Sequence, residues 1–225
     1  APSAALIGQE RALQWLAGPD EAATKQQAGI MGKAFPRELE GVKVRTSGTD
    51  IIDDLKRTWT NPRTGILMKG LGTLTAVPTA LSTAMSRSDH YNPVTDVAQI
   101  YSGIPQVTGH ELGHAVDFNK KSPLARSAYT AAGGLERGAL LGFPGPLTHW
   151  MEMQANKNYL AALGKQPDKA MADDMKRQAW RRLTPAYATY GMASLLGGTA
   201  ALNRPLYDKV TGGAQNVARD LLGKV

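Results

Sequence analysis

The chain has 225 residues, 42% hydrophobic content and a formal net charge of +7, enough apolar material for one domain with a buried core, which excludes wholesale disorder. It contains no cysteine. That excludes disulfide frameworks and thiolate metal sites, and leaves imidazole and carboxylate as the available transition-metal donors.

Charge is unevenly placed. Residues 1–120 carry 12 basic and 12 acidic side chains, whereas residues 121–225 carry 14 basic and 7 acidic. A basic half can meet nucleic acid or an anionic membrane, but no dense Lys/Arg run is interleaved with aromatics, so nucleic acid is not an expected partner. The opening Ala-Pro-Ser-Ala-Ala-Leu has no basic stretch followed by an apolar one and does not read as a retained signal peptide.

In chain order, Ser3–Leu16 is a short amphipathic helix candidate, and Pro19 sits where a first helical residue would, followed by Asp20 and Glu21. Val42-Lys43-Val44-Arg45 alternates apolar and basic and predicts a short strand. Ile51, Ile52, Leu55 and Trp59 recur at helical spacing, which predicts a helix over Thr49–Trp59. From Gly65 to Ser86 the chain is apolar and small, with Lys69 its only charge; it reads as a buried helix that bends or breaks at Pro78. After Asn92-Pro93, the run from Asp96 to Tyr101 reads as a short strand closed by Ser102-Gly103.

A helix follows from about Gln106 to Phe118, then another over Pro146–Leu163 and one opened by Pro167 that ends near Arg182. Leu183–Asn203 is 21 residues without a charge, the length of a membrane span, but its three glycines, Pro185 and hydroxyl residues favour a buried core helix. Helical spacing continues over Pro205–Leu222. The whole predicts a predominantly helical α+β chain, a single domain over 1–225 whose core lies at about 90–165, with N-terminal helices in 1–87 and C-terminal helices in 166–225 packed on it.

Chemistry concentrates in Thr108-Gly109-His110-Glu111-Leu112-Gly113-His114-Ala115-Val116-Asp117. His-Glu-x-x-His places two imidazoles about 40° apart on one face of a helix, so that both can reach one ion. With 4 histidines in the chain, chance would supply the motif roughly 0.002 times, so it is informative. Two imidazoles and a carboxylate suit Zn2+ and leave a position for water. Glu111, one residue after the first histidine, points beside the ion and can take a proton from the bound water as general base. Gly109 and Gly113 each weaken the helix by about 1 kcal/mol relative to Ala, so something other than propensity must hold it.

The downstream acids that could complete the set are Asp117, Glu136 and Glu152. Glu152 lies with His149 and Asn156 in a polar cluster inside an otherwise apolar helix, where a buried acid needs a partner. Glu136 is the weaker choice, in a Gly-flanked loop. Asp117, about 20° from His110 by helical phase, is expected to orient an imidazole rather than to bind metal. His149 shares a face with Glu152 and could donate to a developing oxyanion, add a ligand, or stand behind one. A di-iron carboxylate site would need a second Glu-x-x-His pair, which the chain lacks.

Taken together, His110-Glu111-x-x-His114 and the later Glu152-x-x-Ala155-Asn156 resemble the gluzincin group of zinc peptidases, over about 50 of the 225 residues. The resemblance implies a zincin-like core, with His110, His114 and Glu152 as ligands, Glu111 as base, and Asn156 standing where Asp is more common in support of a ligand. It also implies peptide or protein substrates, and an edge strand before the active helix, at 97–101, that aligns them. A different reading is also expected to be testable. Short segments of this kind resemble zincin domains of phage and mobile-element proteins, and the uncharged helices at 70–86 and 183–203 suit a non-catalytic virion or ejection-type component that meets a membrane or a larger protein assembly.

Overall fold

The computed structural model describes residues 20–46, 48–86, 89–139 and 145–181. The helices expected at 3–16, 183–203 and 205–222 lie outside the described residues. What is described is a predominantly helical α+β fold with a small sheet. These residues group into two compact units, one holding 20–130 and 151–181 and the other 131–150.

Helix α1, Glu21–Ala34, starts two residues later than the Pro19 signal suggested. Asp20 is the cap, its side chain accepting from the Ala23 amide at 3.0 Å, which satisfies an otherwise orphaned donor. Strand β1, Lys43–Arg45, and helix α2, Ile51–Thr60, fall where the patterns placed them. Asp50 caps α2, and Arg45 joins strand to helix through ion pairs of 2.7 and 2.8 Å to Asp53 and Asp54.

Helix α3, Ile66–Ser86, runs through Pro78 without interruption, so the expected break is absent. It is also not the buried helix that its composition suggested: Leu67 and Leu74 are 74% and 78% exposed. Low charge signalled a core, but over 66–77 it is positions such as Met68 and Gly72 that turn inward.

Strands β2, His90–Asn92, and β3, Val97–Gln99, follow. The sheet order is β1-β3-β2, with β3 parallel to β1 and antiparallel to β2. This overturns the edge-strand expectation for 97–101. Val97–Gln99 is bonded on both sides and buried, so its backbone has no free edge for a peptide. The sequence showed no β2 because three residues ending in Asn-Pro read as turn. Between β2 and β3, Asp96 adopts φ 55°, a left-handed conformation costly for a side-chain-bearing residue. It is held there by Arg126, 2.7 Å away and 2% exposed on its side chain, and by the Tyr91 hydroxyl.

Helix α4, Pro105–Asn119, carries the His-Glu-x-x-His motif, with Pro105 in its first turn and no side-chain cap. Almost all of it from Thr108 onward is enclosed, by α1 on one side and by β2 and β3 on another. Helix α5, Pro123–Ala139, occupies a stretch where no helix was expected, and α6, Pro146–Gly164, matches the predicted helix. Residues 169–181 are helical, with Asp168 accepting from the Met171 amide at 3.0 Å. Buried Leu112, Ala115 and Val116 of α4 and Ala155, Tyr159, Ala162 and Leu163 of α6 supply much of the core.

Candidate metal centre

The centre is built where α4 meets α6. A side chain at Gly113 would overlap the Ala155 carbonyl, and one at Gly109 would overlap the Tyr159 ring. The two glycines that weaken α4 as an isolated helix are therefore what let α6 lie against it. Asn158 locks the register: its Nδ2 donates to the Gly113 carbonyl at 3.1 Å, and its Oδ1 accepts from Lys120 Nζ at 3.0 Å. Sequence reasoning passed over Asn158. The signal was there, a further amide two residues beyond Asn156, just before the apolar Tyr159–Leu163.

This register brings His110, His114 and Glu152 together, with one ligand atom from each lying within 4.8 Å of the others. Glu152 Oε2 is 2.9 Å from His110 Nε2 and 3.5 Å from His114 Nε2. The two rings stand edge-on, their centroids 4.7 Å apart at 81°. Tetrahedral zinc with bonds of about 2.0–2.1 Å requires donor atoms about 3.3 Å apart, so the two Glu152 distances straddle the zinc value. The donor set is also what a borderline-soft divalent ion takes in a chain without thiols. These three residues fit such an ion.

Asn156 fixes the chemistry of the first ligand. Its Oδ1 lies 2.8 Å from His110 Nδ1. An amide oxygen only accepts, so Nδ1 must carry the proton, and Nε2 turns toward Glu152 and His114. The side chains of His110, His114 and Glu152 are 12%, 11% and 11% exposed, so charge is poorly screened here. Burial opposes protonation of His110 most strongly, yet the Glu152 hydrogen bond and the charges of Glu111 and Glu152 outweigh it and raise its pKa to about 9. Burial acts on Glu152 in the opposite sense, but the two histidines hold its carboxyl well below the usual carboxylate range. Without an ion, then, a proton on His110 supplies the positive charge that the cluster demands.

Glu111 is 8% exposed and has neither a hydrogen bond nor an ion pair among the described residues. Its carboxylate oxygens are not among the enclosed, unpaired polar atoms, so the carboxylate keeps contact with solvent. It stands next to the first ligand in sequence and close enough to favour the charged form of His110.

Asp117 and Glu136 have partners of their own. Asp117 does not orient an imidazole: its Oδ1 binds Lys121 Nζ at 2.7 Å, while its Oδ2 and the Tyr129 hydroxyl are enclosed without a well-formed hydrogen bond. Burial, and then the Asp117 carboxylate beside it, raise the pKa of Tyr129. Glu136 sits in α5 rather than in a loop. Its carboxylate accepts from the Leu147 and Thr148 amides, both at 2.7 Å, and from the Thr148 hydroxyl at 2.8 Å, capping α6 from outside its own helix. His149 is three residues before Glu152 on α6 and is not one of the three clustered residues.

Comparisons of the chain with protein-family models, with curated proteins and with solved structures return no match.

Proposed function

We propose that the chain is a metal-dependent peptidase: His110, His114 and Glu152 hold one divalent ion, zinc by the nature of the donors, and Glu111 is the general base toward a peptide or protein substrate. One observation carries this reading. Three donors from two helices meet within 4.8 Å, and the Glu111 carboxylate, without a hydrogen bond or ion pair among the described residues, lies close enough to act on the His110 charge. A zinc ion bound there would supply Lewis acidity, polarising a carbonyl oxygen and lowering the pKa of a coordinated water.

The chain's own residues supply the rest. Asn156 keeps the His110 proton on Nδ1, which leaves Nε2 free as a donor. Enclosure of the cluster keeps the dielectric low, so the negative charge of Glu152 and Glu111 acts at full strength on what is bound. Glu111, held by no other group, can accept the nucleophile's proton and return it to the leaving amine.

The Glu111→Gln chain is expected to bind zinc as tightly as the wild type while losing hydrolysis of an unstructured protein such as casein by about 100-fold or more. Equal cleavage by both proteins removes Glu111 from the role of base. A zinc-loaded wild type that cleaves neither casein nor a mixed peptide library contradicts the peptidase reading and leaves a structural metal centre.

A further inference from the structure

We propose that the exposed apolar face of α2 and α3 seats the protein on an anionic membrane surface, as an interfacial contact that does not span the bilayer. The inference is independent of the metal centre. On α3, Ile66, Leu67, Leu71, Leu74 and Val77 all face solvent. At 100° per residue they fall within an arc of about 140°, a continuous apolar face rather than scattered side chains. Gly70 lies within that arc with nothing within 4 Å of where its Cβ would be. The other side of the helix is the packed one, with Met68 buried and Gly72 against Val94 and Thr58.

Helix α2 carries two exposed apolar side chains of its own. Ile52 and Trp59, two turns apart on one side of α2, are 82% and 50% exposed. Lys69 Nζ donates to the Trp59 carbonyl at 2.8 Å, which ties the end of α2 to the start of α3. Single exposed apolar residues are ordinary, but a contiguous face of this size marks an interaction surface.

The charges at its border select the occupant. No acid occurs in Ile66–Ser86, and the α2 acids Asp53 and Asp54 turn away to Lys43 and Arg45. The border charges are Lys56, exposed on the Ile52–Trp59 side of α2, and Lys69. A second copy of the chain would set like charges against each other. An anionic bilayer complements both parts, with apolar side chains entering the acyl boundary and the ammonium groups resting on lipid phosphates. Indole favours that same boundary. Among the described residues no helix is long and apolar enough to cross a membrane, so the contact is interfacial.

The test is co-sedimentation of the full chain with vesicles of phosphatidylcholine alone and of phosphatidylcholine containing about 30% phosphatidylglycerol. Binding to the anionic vesicles is expected, at least about tenfold stronger than to neutral ones, weakened by salt and unchanged by chelator. The double variant Leu67→Glu, Leu74→Glu should lose it by about tenfold or more with an unchanged melting temperature, because both side chains are already in water. Three results would overturn the proposal: no binding to anionic vesicles, equal binding by the double variant, or binding indifferent to lipid charge. So would a lipid-free dimer that the double variant dissociates, or a drop in its melting temperature, since each means that protein covers the face.

Discussion

Asn156 decides which nitrogen of His110 is left to bind an ion, and it does so as a neutral acceptor. Replacing it with Ala strands an enclosed Nδ1–H, which costs about 1–3 kcal/mol, and frees the ring to turn. Zinc affinity of Asn156→Ala, read by competition with a chromogenic chelator, is expected to fall about 10–100-fold, whereas Asn156→Asp should match or exceed the wild type. Equal affinity in all three proteins would show that His110 needs no such support. The pairing of His110 with His114 was visible in sequence because it follows from covalent spacing on one helix. Glu152 and Asn156 were visible for a different reason, as polar residues on a helix that otherwise buries apolar ones. Asp117 misled because helical phase gives a direction and not a partner. Lys121, one turn further on, offers a cation without any tertiary arrangement.

Two helices and their glycines make the centre possible. Substituting Ala for Gly113 gains about 1 kcal/mol of helix propensity. The added Cβ would meet the Ala155 backbone, which cannot turn aside as a side chain can. Forcing α4 and α6 apart costs about 1–3 kcal/mol or more, so the clash wins. Gly113→Ala should therefore lower the melting temperature and weaken zinc binding together; a variant more stable than the wild type would mean that the helices are not in close contact. The first of these helices was readable from the His-Glu-x-x-His spacing, and the second from the Gly-Phe-Pro-Gly signal that precedes Pro146. Helix α5 was not, since Gly133, Gly134 and Gly138 depress its propensity. Glu136, the residue that ties it to the start of α6, acts only across a turn of the chain. The sheet shows the same limit. Its three-residue strands are too short to declare a period, so the position of β3 between two neighbours could emerge only from pairing.

Over the whole chain, low charge has two meanings that composition cannot separate. Helices α4 and α6 are largely enclosed and carry the polar cluster, whereas α3, whose one charge is Lys69, turns Leu67, Leu71 and Leu74 outward. Solvent exposure is set by which helices find partners, and that information is distributed across the fold. The cluster of His110, His114 and Glu152 is likewise a property of the fold, since 42 residues separate His110 from Glu152. Metal content by elemental analysis, on the wild type, His114→Ala and Glu152→Ala after dialysis against micromolar zinc, probes that convergence directly. One zinc per wild-type chain is expected, lost from both variants while each keeps its helical circular dichroism. Retention of the full equivalent by Glu152→Ala, or a wild type that takes up no metal, would contradict it.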